Sequence, residues 1–498
     1  MRLQAAGPPA PVRTPAPRVY PLAELVRDAH SQALFLAVVA ITLLNLWALA
    51  RAVTRGHGVE GTLAWVFAIL ALPAVGAVAY FGLANPAVRP GWKRRRREAI
   101  LRVASHLHGG PRRLAPEGSV LRLATGISGL LPSTGNRVEL LAEDDSAFRR
   151  LEAALHEARR SVWVEYYLIR NDATGKAFLD LLAARARDGL DVRLLYDAIG
   201  SMRLDRERLG AIRAAGGHAE PFLPLNPFRR RWAVHLRNHR KLVVLDGERG
   251  FSGSMNVGDE YSGRARRRGL AHFRDSHLAV EGPAVGDLSL IFAEDWNLAT
   301  GERIAPRVSP IPLAGGDAEV AVIPSGPDQA YNATGMAYFA GIASARSRCW
   351  LTTPYFVPDG ATVRALEAAA LRGVDVRLLL PEVPDVRVVG PAARSFYPAL
   401  LRAGLRIYEY QPSMLHAKTM VVDGRLSLVG SGNVDFRSFR LNFELGALVE
   451  SENFARVLEG RFEEDLRESR EVREVELAAR SLAARLAEGT ARLLAPLL

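Results

Sequence analysis

The chain has 498 residues, 49% hydrophobic and 24% charged, which is enough for two sizeable cores in two or three domains and excludes a disordered or fibrous protein. A single cysteine, Cys349, excludes an internal disulfide framework and any cysteine-cluster metal site. Lys and Arg outnumber Asp and Glu 65 to 53, giving +12, and residues 1–100 supply +8 of it (12 basic less 4 acidic), a skew that suggests an anionic membrane surface or nucleic acid as partner.

Residues 1–30 open with Pro8, Pro9, Pro11, Pro15, Pro17 and Pro21 and read as a flexible tail. Two uncharged apolar runs follow, Ala33–Ala50 and Thr62–Ala84, the second containing Pro73. Each matches about 30 Å of hydrocarbon at the helical rise. A buried core helix seldom runs so long without a charge, and a cleaved signal would be shorter, earlier and single. Residues 31–90 therefore read as a two-helix transmembrane hairpin. Arg89 and Lys93–Arg97 follow the second run, against Arg51 and Arg55 in the short connection, which puts the bulk of the chain in the cytoplasm. Residues 91–137 read as a basic juxtamembrane linker resting on anionic headgroups.

From residue 138 strands and helices alternate, and the order repeats. Val162–Ile169, Lys176–Arg187 and Asp191–Tyr196 read strand, helix, strand; so do Cys349–Val357, Thr362–Leu371 and Asp375–Leu380. The string DVRLL recurs at 191 and 375, an offset of 375 − 191 = 184. The fold class is α/β, two domains with mixed sheets flanked by helices, 138–314 and 315–498, with the seam near Gly315–Asp317.

Each half carries one signature. His239, Lys241, Asp246, Gly253, Ser254 and Asn256 have the same spacing as His416, Lys418, Asp423, Gly430, Ser431 and Asn433. Two of the chain's four lysines fall on it, in a protein that otherwise uses arginine, so a compact ammonium is demanded. His and Lys two apart on a strand share a face. Asp-Gly then turns the chain, and the next strand brings up Ser and Asn. Gly serves a close approach to the backbone. Asp246 and Asp423 have the other strand parity and are expected to fix the turn.

That set suits a phosphodiester. One imidazole attacks phosphorus in line and the other protonates the leaving alcohol, and a second alcohol or water resolves the phosphohistidine. Lys241, Lys418, Ser254, Asn256, Ser431 and Asn433 are expected to hold the phosphate oxygens. No P-loop or magnesium-type carboxylate cluster is present in the sequence, so neither metal nor cofactor is expected. Arg229, Arg230, Arg231, Arg237, Arg240 and Lys241, interleaved with Phe228 and Trp232, suit phospholipid headgroups, a solvated basic loop or, on composition alone, a nucleic-acid groove.

Two HxKx4Dx6GSxN motifs are the mark of the phospholipase D superfamily, and the chain from about residue 30 to its end resembles bacterial cardiolipin synthases with two transmembrane segments. The resemblance rests also on VEYYLIRNDATGKAFLDLL, DVRLLYDAIGS, FRDSHLAVEGPAV, TPYFVPD and FRSFRLNFELG. It implies two phospholipase D-like domains in pseudo-twofold duplication at the inner membrane. It also implies transfer of a phosphatidyl group from one phosphatidylglycerol to another, giving cardiolipin and glycerol. By the superfamily pattern His239 is the nucleophile and His416 the general acid and base, although the sequence itself does not distinguish them. Asp275 and Glu444 occupy the places of the family's histidine-orienting acids. The alternatives are a phospholipase D-type hydrolase, another phosphatidyltransferase such as a phosphatidylserine synthase, or a nucleic-acid phosphodiesterase. The paired spans argue against the last. Both motifs lie in one chain, so the site does not require a dimer, and oligomeric state stays open. Val475–Leu498 reads as a helix that packs on the domain or lies at the membrane interface.

Overall fold

The structure is a computed structural model that describes residues 22–54, 58–81, 112–142, 144–224, 236–307, 313–329 and 331–493. The proline-rich stretch 1–21, the basic run 93–97 with most of its linker, and the basic-aromatic segment 228–232 lie outside the described residues. The chain divides into a small unit, residues 1–87, and a large one, residues 88–498.

In the small unit, helix α1 spans Leu22–Thr54, so it begins nine residues ahead of the expected boundary at 31 (31 − 22). Its Ser31–Thr54 part, 24 residues of mean hydropathy 2.4, is long and apolar enough to cross a bilayer. The second apolar run is not one helix, contrary to expectation. It forms α2, Gly58–Ala71, and α3, Val75–Ala79, with a break at Leu72–Ala74. Pro73 offers no N–H and its ring crowds the preceding turn. Ala74 takes φ +66°, and its N–H is received by the Asn45 side chain at 3.1 Å. Small residues let the segments meet: Ala48, Ala52 and Ala77 are fully buried with Ile69 and Tyr80.

The large unit holds a sixteen-stranded mixed sheet made of two copies of one pattern. The first half contributes β1 (Ser133–Leu141), β2 (Ser161–Tyr166), β3 (Asp191–Asp197), β4 (His218–Phe222), β5 (Arg237–Asn238), β6 (Lys241–Leu245), β7 (Arg249–Gly253), β8 (Phe273–Arg274) and β9 (His277–Glu281). The second contributes β10 (Ala318–Ser325), β11 (Arg348–Thr352), β12 (Phe356–Val357), β13 (Asp375–Pro381), β14 (Arg406–Tyr410), β15 (Met414–Leu415), β16 (Thr419–Val422), β17 (Leu426–Gly430), β18 (Val434–Asp435), β19 (Asn442–Glu450) and β20 (Ser469–Glu471). The order β1-β9-β7-β6-β2-β3-β4 in one half is repeated as β10-β19-β17-β16-β11-β13-β14 in the other. The copies join where β1 and β10 pair antiparallel. β1 begins at Ser133, five residues before the expected domain start (138 − 133).

The repeated DVRLL string has a structural cause. Asp191 accepts the Trp163 indole N–H at 3.0 Å and the Arg193 guanidinium at 2.9 Å. Asp375 accepts Trp350 at 3.1 Å and Arg377 at 3.0 Å in the same way. Each helix that follows the first parallel strand is also capped alike. Asp172 receives Gly175 N–H at the start of α4 (Ala173–Arg187), and Asp359 receives Thr362 N–H at the start of α5 (Gly360–Leu371), both at 2.9 Å. β2 is buried at every position because helices cover both faces of the parallel strands. One apolar cluster runs through both halves, joining Trp163, Phe292 and Trp296 to Val449, Phe454 and Phe462. The C-terminal helix, Leu482–Leu493, packs on the domain through Ala491 and stacks Arg492 over the Phe396 ring at 4.5 Å, while Leu482 and Leu486 stay exposed.

Candidate active site

Both motif histidines lead into a central hairpin, β6–β7 and β16–β17, turned by Asp246-Gly247 and Asp423-Gly424. All four turn residues have φ between 52° and 72°, the left-handed pair a tight hairpin requires. Asp246 accepts the backbone N–H of Arg159, Arg160 and Ser161 at 2.7–2.9 Å. Asp423 does the same for Arg346, Ser347 and Arg348 at 2.8–2.9 Å. The motif aspartates thus tie each turn to the start of β2 or β11, roughly 20 Å along the strand from the histidines. They belong to the scaffold.

The lead-in strands cross between halves. β5 pairs with β19, and β15 pairs with β8. This crossing sets the imidazoles. His239 Nδ1 lies 3.0 Å from Glu444 Oε2, and His416 Nδ1 lies 2.8 Å from Asp275 Oδ2. Each histidine is therefore held by the carboxylate of the other half. Lys241 Nζ donates to the His239 carbonyl at 2.7 Å, and Lys418 Nζ to that of His416 at 2.5 Å. Both lysines are fully buried. The Nε2 atoms of the two imidazoles have no protein partner among the described residues.

The expected serine role changes. Ser254 donates to Asp275 and to the Ser276 carbonyl, and Ser431 donates to Glu444. The Leu445 N–H is received by Ser431 at 2.9 Å. The hydroxyls brace the orienting carboxylates rather than face a phosphate, because the strand that follows the motif hairpin lies directly against them. Asn256 donates to the Tyr261 hydroxyl at 3.2 Å, and the Oδ1 atoms of Asn256 and Asn433 are buried without a partner. Gly253 is explained by packing. Its φ is +149°, and a Cβ there would lie 2.7 Å from His277 Cα.

Burial pushes the His239 imidazole down to about 4 against the pull of Glu444, and burial with Lys418 lowers His416. It also pushes the ammonium of Lys241 down to about 7 and that of Lys418 to about 8. For the carboxylates burial acts upward but is outweighed. His416, Lys418 and Ser254 hold Asp275 well below the ordinary range, and His239, Lys241 and Ser431 lower Glu444. The site thus holds two ionised carboxylates, two neutral imidazoles with Nε2 free, and two lysines close to their titration points.

Several neighbours escaped the sequence reading. Tyr167 presents its ring to His239 at 4.9 Å and to the Lys241 ammonium at 5.4 Å. Phe273 and Tyr261 stand 5.4 and 5.9 Å from His416. Arg237 and Arg240, expected in a basic cluster facing headgroups, are instead buried and paired with Asp197 and Asp295; Arg240 fills the variable position of the first motif. It donates to the Glu444 carbonyl at 3.0 Å and the Ser325 carbonyl at 3.1 Å, and it pairs with Asp295. Asp197 accepts the Asn238 N–H at 2.9 Å and pins β5.

The duplicated fold and the paired motifs are those of phospholipase D-like proteins. A phosphatidylserine synthase of Haemophilus influenzae superposes with a TM-score of 0.58 over 80% of this chain and 100% of that one, at 13% identity, a likeness of fold. The family model described as cardiolipin synthase, PLD-like domain, matches residues 151–269 and 338–466, and a phospholipase D-nuclease N-terminal model matches 43–81. A cardiolipin synthase 2 of Bacillus cereus is 41% identical over 76% of this chain and 74% of its own. A cardiolipin synthase of Geobacillus kaustophilus is 38% identical over 88% and 89%. The chain belongs to the bacterial cardiolipin synthase family of the phospholipase D superfamily.

Proposed function

We propose that this chain is a phosphatidyltransferase that makes cardiolipin and glycerol from two molecules of phosphatidylglycerol. The observation that carries the mechanism is the crossed pairing of each imidazole Nδ1 with a buried carboxylate. It fixes Nδ1 as the N–H and leaves both Nε2 lone pairs for chemistry. His239 Nε2 attacks phosphorus, the P–O bond to the departing glycerol breaks, and His416, protonated as substrate binds, gives that oxygen its proton. His416 then takes the proton of the second phosphatidylglycerol's hydroxyl. That oxygen attacks the phosphohistidine, and the P–N bond breaks. Lys241 and Lys418 neutralise the non-bridging oxygens, with the Asn256 and Asn433 carboxamides beside them.

The apolar α1 and the broken α2–α3 segment support a membrane anchor, and the basic residues 89–97 support a cytoplasmic position for the large unit at the inner membrane. Purified protein given labelled phosphatidylglycerol in mixed micelles is the test. Cardiolipin with released glycerol is the expected product, with full activity in chelator. Phosphatidic acid alone would make the protein a hydrolase. His239→Ala and His416→Ala should each lower turnover at least about 10³-fold.

A further inference from the structure

We propose that a cavity on the reverse face of the β8–β15 ribbon is a second headgroup site for an anionic phospholipid, separate from the paired imidazoles. The ribbon takes one strand from each half. Phe273 turns its ring toward His416, at 5.4 Å. Side chains alternate across a strand, so His272 and Arg274 fall on the other face. There they line a cavity of about 630 Å³ together with Arg266, Arg461 and Arg467.

The charges at this cavity do not cancel. Asp465 takes Arg274 at 2.6 Å and Arg461 at 2.9 Å. Glu464 takes Arg461 at 3.2 Å, and Glu468 receives the Tyr410 hydroxyl at 3.3 Å. Arg266 and Arg467 have no carboxylate partner among the described residues. Among the described residues, four arginines against three carboxylates leave +1 before His272 is counted. Two exposed guanidinium forks lining a cavity match the oxygens of a phosphate.

A lipid rather than a free anion is indicated by the loop itself. Leu270, 58% exposed, lies between Arg266 and His272 in a run that also exposes Arg268, and an apolar side chain among cations suits a membrane interface. The cavity wall also reaches the active site. Arg274 donates to the Ser276 hydroxyl at 3.0 Å, next to Asp275, which holds His416. A bound headgroup therefore touches the strand that sets one imidazole. The inference rests on the reading above only for the chemical class of its ligand.

The test uses the full chain carrying His239→Ala, which halts turnover, titrated in detergent with dioleoyl phosphatidylglycerol and followed by native mass spectrometry. The parent should retain one lipid beyond those held at the paired imidazoles. Adding Arg266→Ala with Arg467→Ala should weaken retention of that further lipid at least about tenfold, whereas Arg266→Lys with Arg467→Lys should keep it. Unchanged retention in the alanine variant overturns the proposal, as does loss of every lipid together. Inorganic phosphate or glycerol 3-phosphate displacing the further lipid at equal concentration overturns the lipid assignment. This binding count stands even if the micelle assay yields no cardiolipin, and its failure leaves that assay untouched.

Discussion

Glu444 and Asp275 each govern an imidazole that lies some 205 and 141 residues away in sequence, and each is itself braced by a serine of its own half. Glu444→Gln should leave His239 free to take the wrong tautomer and lower kcat roughly 10²–10⁴-fold, with Asp275→Asn acting likewise on His416. The check is kcat in mixed micelles alongside an unchanged melting temperature. The lysines give a pH prediction. Their ammonium values sit at about 7 and about 8 because burial opposes the charge. The cation is present below those values and lost above them, so kcat/KM should fall as pH rises through that window. A bound phosphate stabilises the ammonium, so kcat should fall only at higher pH. A kcat/KM flat across the window contradicts this assignment.

At the scale of an element, the motif hairpins are anchored from behind. Asp246 and Asp423 each receive three backbone N–H groups while holding a left-handed φ. Removing either carboxylate strands those donors, so Asp246→Ala or Asp423→Ala should cost about 2–4 kcal/mol of stability. Thermal melts should show the loss, while kcat per folded molecule stays near wild type. A large fall in kcat without a fall in melting temperature would return these aspartates to the chemistry. The broken α2–α3 segment teaches a related lesson. Composition alone described a straight span, yet Pro73 breaks it, and Asn45 accepts the orphaned Ala74 N–H.

Across the whole large unit, the halves are fastened at the site itself. Arg240 of the first half donates to the Glu444 and Ser325 carbonyls of the second and pairs with Asp295 beneath. Arg240→Ala leaves a buried carboxylate without its cation, a loss of about 3–5 kcal/mol, and frees the strand that carries Glu444. Both melting temperature and kcat should drop. The apolar cluster shared by both halves makes a second expectation, that residues 112–493 unfold in one calorimetric transition. Two separated transitions would show that the crossing strands are weaker couplings than their burial implies.

The duplication, the α/β alternation, the long apolar helix and the twin histidine–lysine signatures were all legible in the chain, because each is a local pattern. Strand periodicity, Asp-Gly turn chemistry and hydropathy act over a few residues, and a repeat displays them twice. The destinations of the polar side chains were not legible in that way. Ser254 and Ser431 share the motif with Asn256 and Asn433, yet they brace carboxylates, since only the packed neighbour strand decides what a hydroxyl meets. Arg240 differs from its counterpart Ala417 by one letter, and only the packed interface gives that letter a meaning. Above all, no spacing along the chain says that His239 pairs with Glu444 and His416 with Asp275. That exchange exists because β5 and β15 cross to the opposite half, and strand pairing over such separations is fixed by tertiary packing alone.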